Sequence, residues 1–324
     1  MRRTEHSRHS ARDLPSPAVP HGQWPSVAEM PKLPPDVAIG AGQALPKITI
    51  VTPSYNQVEF IEDTIRSVLL QGYPNLEYMI MDGGSTDGTV DIIKKYEPWI
   101  SHWESTPDRG QAHAINKGLD RATGDVCTYI NSDDYYLPNA FMYVASTFDR
   151  LGWDLCCGNR LATPLSARMI LRRSEWKSRL RPLGPPFLVE STDYRVSQES
   201  TFWSARCARG HRFDESLHYM LDVDWFCRIA SQARILLTSQ RLGVFREHPL
   251  SKTAQLGDRR PPVEFDQVAE RWHLDPNARQ QASDIISTFR RAAPLHTLKH
   301  YFVGRAEFIY THPACEERPL GSNV

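Results

Sequence analysis

Residues 47–71, KITIVTPSYNQVEFIEDTIRSVLLQ, decide the fold. KITIVT is a short β-branched run ending in polar residues. Ile61, Ile65, Val68 and Leu69 then follow at helical spacing, so a strand runs directly into a helix. The pattern recurs downstream. LEYMIMD (76–82) reads as a second strand, TDGTVDIIKKY (86–96) as an acid-started helix and ISHWEST (100–106) as a third strand. GQAHAINKGLDRAT (110–123) gives a third helix and GDVCTYI (124–130) a fourth strand. Strands alternating with helices in this way demand an α/β fold with a mostly parallel sheet flanked by helices.

Outward from this core the texture changes on both sides. Residues 1–46 hold 8 of the 24 prolines and few aliphatic side chains, with no sustained period, so they are expected to form a flexible extension. After residue 138 the regularity fades into candidate strands at DLCCGN (154–159), ARMILRR (167–173) and ESTFWS (199–204), a Pro-rich loop RPLGPP (181–186) and a helix beginning near Asp222. This half reads as α+β. From about residue 276, Arg, Lys and His interleave with Ile, Phe, Leu and Tyr, the pattern of an amphipathic covering helix or of a basic helix that meets a membrane surface or a partner. The expected divisions are therefore 1–46, 47–137, 138–255 and a C-terminal helical segment and tail over 256–324.

The 324 residues contain 38 Lys+Arg and 38 Asp+Glu, so no global field favours nucleic acid or an anionic surface, and a charged ligand has to be met locally. Cys127, Cys156, Cys157, Cys207, Cys227 and Cys315 include no C-x-x-C pair, and are expected to be reduced core thiols. No apolar run reaches the length of a spanning helix, and MRRTEHSRHSARD has no apolar stretch behind its arginines, which points to a cytoplasmic protein. Peripheral attachment to a membrane face needs neither feature.

Ligands of an open parallel sheet bind at the carboxyl ends of its strands, so the residues just after each strand carry the chemistry. The first such turn, Thr52-Pro53-Ser54-Tyr55-Asn56, contains no glycine and cannot be a G-x-G-x-x-G dinucleotide turn. A P-loop is absent too. The second strand ends in Asp82-Gly83-Gly84-Ser85, a carboxylate followed by glycines that let a ligand approach the backbone. The fourth ends in Asn131-Ser132-Asp133-Asp134, where adjacent carboxylates repel unless a cation lies between them. Hard oxygen ligands of this kind suit Mg²⁺ or Mn²⁺.

The ordered set KITIVTPSYNQ, DGGSTDGT, DRGQAHAINKGLDRATGD, NSDD, QESTFW, FDESLHYMLDVDWFCRIA and FREHPLSKT resembles a family 2 glycosyltransferase of the GT-A fold over roughly residues 47–255. The resemblance implies an inverting transferase that takes a sugar from a nucleotide-diphosphate donor, with a UDP-sugar expected, to an acceptor hydroxyl on a saccharide or lipid-linked saccharide in polysaccharide or glycolipid assembly. It implies that Asp134 binds the metal and that Asp133 faces the ribose or a metal-bound water. Thr52, Pro53, Tyr55, Asp82, Asp108 and Arg109 would contact the donor, with Tyr55 stacking on the base. His248 and Lys252 would belong to a late loop over the diphosphate or metal, and Gln198, Glu199 and Trp203 would lie on the acceptor side, although Trp203 also fits the core beneath them.

Asp222 matches the family's general base, with Asp224 the competing acid, expected instead to pair with Arg228 one turn on. Two departures stand out. Leu221 replaces the acid that usually precedes the base, and Gly83 replaces a second acid that usually reads the nucleobase. A sugar-1-phosphate nucleotidyltransferase, or a catalytically degenerate nucleotide-sugar-binding subunit, are the competing readings.

Overall fold

The computed structural model describes residues 10–17, 44–164, 196–230, 233–256, 262–272 and 307–311. Strand β1 (Ile48–Ser54) leads into helix α1 (Ile61–Leu69), β2 (Leu76–Asp82) into α2 (Thr89–Tyr96), and β3 (His102–Ser105) into α3 (Gln111–Leu119). Next come β4 (Val126–Tyr129), the short β5 (Tyr135–Tyr136), α4 (Ala140–Leu151) and β6 (Leu155–Pro164). A 3-10 turn over Gln198–Ser200 precedes β7 (Thr201–Ser204), α5 (Ala205–Ala208), α6 (Leu221–Ala230), β8 (Arg234–Glu247), α7 (Lys252–Leu256), α8 (Pro262–Arg271) and β9 (Glu307–Thr311).

These strands form one sheet ordered β3-β2-β1-β4-β7-β6-β8-β5, with β9 beside β8. The β3, β2, β1 and β4 ladders are all parallel, so their polar turns meet at one edge. Because β2 and β4 flank β1 on opposite sides, the chain reverses direction of growth there, and the crevice between their carboxyl ends is where a ligand fits. Alternation along β1 divides the core. Ile48 and Ile50 face α1, α2 and α4, whereas Val51 joins the α3 and α6 side. Helix α3 approaches β1 closely only because residue 118 is glycine, since a Cβ there would meet Val51 Cγ1 at 2.5 Å.

The mostly parallel α/β architecture expected from the sequence is present, and its strands and helices lie where the periodicity puts them through β4. ARMILRR and RPLGPP lie outside the described residues, as does the stretch 276–306. Glu307–Thr311 is a strand antiparallel to Arg234–Thr238, where the sequence reading expects helix. EFIYT is rich in strand formers, and an open edge of β8 supplies the ladder that a single-sequence period cannot reveal. Cys127, Cys156, Cys157 and Cys227 are buried free thiols and Cys207 is half-buried, as expected for reduced core cysteines. Cys315 lies outside the described residues. Among the described residues no helix is long and apolar enough to cross a membrane.

Within the stretch read as a flexible extension, residues 10–17 pack on the domain. Leu14 is buried in the α1–α2 core. Backbone carbonyls of the segment accept from three side chains: Trp99 Nε1 to Ser10 at 3.2 Å, Arg66 Nη1 to Pro15 at 2.6 Å and Lys95 Nζ to Ser16 at 2.7 Å. Arg66 is itself buried, so its charge needs the Pro15 carbonyl. Proline removes donors but leaves carbonyls, which suits this mode of docking. Deleting residues 1–17 should therefore lower unfolding free energy by roughly 2 kcal/mol or more, from one buried aliphatic side chain and a charged hydrogen bond. Urea unfolding of the truncated chain checks this, and an unchanged midpoint would show the contacts to be inconsequential.

Candidate functional site

The turn after β4 carries the two adjacent acids, and it is fixed from below. Thr64 Oγ1, on α1, donates to the carbonyls of Ser132 at 2.9 Å and Asp134 at 2.6 Å. Asp134 is almost wholly buried, with 1% exposure, and accepts the backbone N–H of Arg246 at 2.9 Å. Burial, and then the negative charges of Asp133 and Glu199, push its carboxyl well above the usual carboxylate range. The Arg246 side chain reaches back to Asp63 on α1 at 3.0 Å, which ties the end of β8 to the turn.

His248 lies just past that strand end. Its Nε2 is 3.0 Å from Asp133 Oδ2 and its ring packs on Phe60 at 4.1 Å between centroids. The structure thus joins His248 to Asp133, the acid expected at the ribose, while Asp134, expected to be the metal ligand, faces Arg246 and Asn131. Nδ1 of His248 is buried without a hydrogen-bond partner. Two carboxylates and an imidazole suit a divalent cation, and a positive charge would relieve the repulsion that burdens Asp134. Among the described residues, no group of three or more His, Cys, Asp or Glu converges as a ready-made metal cluster. An ion held there would complete its shell with other oxygen ligands, water or a substrate phosphate among them.

Gln111 at the start of α3 donates to Asn131 Oδ1 at 2.6 Å and accepts from Lys252 Nζ at 2.7 Å. Asn131 in turn reaches Asp134 at 3.4 Å and Gln198 Oε1 at 3.3 Å, and Gln198 donates to the Tyr129 carbonyl at 2.6 Å. Gln198 therefore braces the turn. Lys252 of FREHPLSKT lies in this network, and the structure adds Gln111, Asn131 and Arg246, which the sequence reading does not name as site residues. Their signal is available in the sequence, because each stands inside a quoted motif, but their partners lie up to 183 positions away.

Next to Gln198, Glu199 is buried, with Oε1 lacking a hydrogen bond and Arg160 Nε 3.6 Å away. Burial raises its pKa, and the nearby Asp222 charge adds to the rise. Glu199 thus lies within electrostatic reach of both Asp134 and Asp222. Asp222 itself stands at the second position of α6, where its Oδ1 accepts the N–H of Val223 at 2.8 Å. Burial pushes its carboxyl up to about 6, against the lowering effect of that N–H and of Arg160 and Lys252. Asp224 is different. It is fully buried and paired with Arg228 at 2.7 Å, as expected, and it also accepts from Arg271 at 2.8 Å and Trp272 at 2.9 Å.

On the opposite side of the crevice Tyr55 projects from the end of β1, 62% exposed. Its ring and the Asp108 carboxylate close over Gly83: a Cβ at that glycine would lie 3.1 Å from Asp108 Oδ2 and 3.3 Å from Tyr55 Cδ2. The missing second acid is thus matched by an acid from the next turn. Asp108 Oδ1 also accepts the N–H of Gly110 at 2.8 Å, starting α3.

Several expected contact residues have other duties. Asp82 is buried and accepts from Gly84 N, Ser85 N, Ser105 Oγ and Ser85 Oγ, so its carboxylate is committed to its own turn. Thr52 is buried with its hydroxyl 3.2 Å from Tyr78, and Pro53 is buried within β1. Arg109 points to Glu215 at 2.5 Å rather than to Asp108, and is largely exposed. Trp203 is wholly buried among Tyr129, Phe213, Trp225 and Phe226, the core position that the sequence reading gives as its alternative.

Residues 49–203 match the family model described as Glycosyl transferase family 2. TuaG of Bacillus subtilis (strain 168), whose name places it in teichuronic acid biosynthesis as a glycosyltransferase, is 43% identical over 94 residues, covering 28% of this chain and 36% of that protein. The uncharacterized glycosyltransferase MT1564 of Mycobacterium tuberculosis is 34% identical over 92 residues, 28% of this chain and 35% of that protein. The matches span about a third of these curated relatives. Among solved structures, S. aureus TarS 1-349 in complex with UDP-GlcNAc aligns with a TM-score of 0.54 at 19% identity, over 70% of this chain and 65% of that one. The same protein in complex with UDP gives 0.51 at 18% identity, over 70% of each chain. At this identity the likeness is one of fold, the GT-A arrangement.

Proposed function

Since the chain carries a family 2 glycosyltransferase domain over residues 49–203, we propose that it moves a sugar from a nucleotide-diphosphate donor to an acceptor hydroxyl with inversion at the anomeric carbon. The observation that carries this reading is the pairing, around Glu199, of the Asp133–Asp134–His248 group with a separate carboxyl, Asp222, whose pKa of about 6 suits a base near neutral pH. One set of groups handles the leaving diphosphate. The other handles the acceptor proton.

The donor's base would lie between the exposed Tyr55 ring and the Asp108 carboxylate, with the diphosphate running toward the turn after β4. Asp133 and His248 would hold Mn²⁺ or Mg²⁺, with Asp134 behind them, and the ion would supply neutralisation of the charge that builds on the diphosphate. The acceptor oxygen attacks the anomeric carbon from the face opposite the diphosphate as Asp222 takes its proton. The sugar–phosphate C–O bond breaks, and its electron pair leaves with the nucleoside diphosphate. A UDP-sugar is the favoured donor, because Asp108 can accept from the N3–H of uracil, and TarS is crystallised with UDP-GlcNAc. The setting in polysaccharide or glycolipid assembly, a cytoplasmic site of action, peripheral membrane association and a saccharide or lipid-linked acceptor complete the proposal.

Calorimetric titration of UDP with and without Mn²⁺, followed by product analysis with UDP-sugars and saccharide acceptors, tests this. Expected are metal-enhanced UDP binding and release of UDP in step with transfer. Asp133→Asn should remove the metal enhancement. Release of pyrophosphate would instead identify a nucleotidyltransferase, and binding without turnover on any acceptor a degenerate subunit.

A further inference from the structure

The base assigned to Asp222 stands on the first turn of α6, beyond the matched family segment, and the side chains that fix this turn come from a later helix. Helix α8 supplies them. Glu264 Oε1 accepts the N–H of His218 at 3.0 Å, and its Oε2 accepts those of Tyr219 at 2.8 Å and Met220 at 3.1 Å. Three successive backbone donors at the entry to α6 thus converge on one carboxylate, a concave nest for negative charge at the positive end of a helix. Met220 is the residue whose carbonyl accepts the Asp224 N–H at 2.9 Å, opening the helix.

At its other end α8 brings Arg271 Nη1 to Asp224 Oδ1 at 2.8 Å and Trp272 Nε1 to the same oxygen at 2.9 Å, with Val268 buried in the core between them. Asp222 is therefore bracketed, with Met220 and Asp224 each fastened to α8 two residues away on either side.

We propose that α8 is the positioning element of the acceptor-side base, with Glu264 the residue that sets the entry of α6 and thereby aims the Asp222 carboxylate. The inference rests on the proposed role of Asp222. Glu264 touches no reacting atom. It spans donors that would otherwise leave the turn free to rotate, and a displacement of about 1 Å at a catalytic group costs up to roughly a hundredfold in rate. A glutamine at this position keeps one acceptor oxygen but turns an N–H₂ toward a backbone donor, so at least one of the three bonds is lost.

Arg160 of β6 and Lys252 of α7 hold the Asp222 titration down against burial, and the Asp222 charge in turn acts on Glu199 of the 3-10 turn, Tyr129 of β4 and Cys227 of its own helix. Helix α8 touches this set through Glu264, whose charge bears on Lys252, so a variant that keeps the charge, Glu264→Asp, is needed to separate geometry from electrostatics. If the turn loosens, Asp222 gains water and its pKa falls toward the ordinary carboxylate value.

Glu264→Gln is compared with Asp222→Asn in the full-length chain by turnover, calorimetric UDP binding and the pH dependence of rate. The expected result for Glu264→Gln is a loss of roughly tenfold to a hundredfold in kcat, UDP affinity kept within about threefold, and an acid limb moved to lower pH by about half a unit or more. Unchanged kcat, or a loss of rate with the acid limb unmoved, would overturn the positioning role. Normal turnover by Asp222→Asn would overturn the base itself, and with it the inference. Glu264→Asp, which keeps the charge on a stem too short to span three donors, is measured alongside and judged by the same criteria, so a shift confined to Glu264→Gln is the effect of the lost charge and overturns the positioning role; it also stands in should Glu264→Gln not fold.

Discussion

Asp222→Asn should lower turnover by roughly 10² to 10⁴, the range for a lost proton acceptor, while UDP binding stays within a few-fold. The substitution leaves shape and size nearly intact and removes only the capacity to take a proton. The folded protein holds Asp222 at a pKa of about 6, above the ordinary carboxylate value, so the protonated form is the one the fold favours. Two consequences have opposite signs. Activity requires the ionised form, so turnover should fall about tenfold per pH unit below roughly pH 6. Stability contributed by this group is fully present below the unfolded pKa of about 3.9 and is lost as pH rises through about 6. An asparagine has no charge to bury, so the inactive variant should melt at or above the wild-type temperature at pH 7. Stopped UDP-release assays across pH 5 to 8, together with melting curves, check both. An active variant, or one that loses stability, would sink the assignment.

Asp224→Asn is expected to do the reverse, at a cost of about 3–5 kcal/mol in unfolding free energy, as for a buried ion pair that loses one partner. Asp224 has 0% exposure and is the common acceptor for Arg228, Arg271 and Trp272. An amide offers one oxygen and turns its own donors toward two guanidinium groups. Arg271 also bonds Asp214 at 2.8 Å, so the loss spreads to the loop before α6. Urea unfolding gives the measurement. A midpoint equal to wild type would mean that the network is idle, whereas a folded and inactive Asp224→Asn beside a fully active Asp222→Asn would move the base to Asp224.

The sequence by itself determined the elements and their order through β4, since a β-branched run such as Ile48–Val51 and a 3.6-residue spacing such as Ile61–Ile65–Val68 are local properties. It also brought the polar turns to one sheet edge, because parallel strands joined by helices leave no other arrangement. The ion pair of Asp224 with Arg228 was legible too, being one helical turn long.

What only the tertiary structure decided concerns partners far apart in the chain. Asp82 reads as a ligand contact until three backbone and hydroxyl donors of its own turn, plus Ser105, consume its oxygens. Asp108 fills the place beside Gly83, and Arg109 turns away to Glu215 across 106 positions. His248 meets Asp133 across 115 positions, and Glu264 captures the entry to α6 from beyond the matched segment. Side-chain type and spacing carry no information on which distant donor arrives first. Burial decides it, because an acid removed from water must take whatever hydrogen-bond donors the fold brings within about 3 Å.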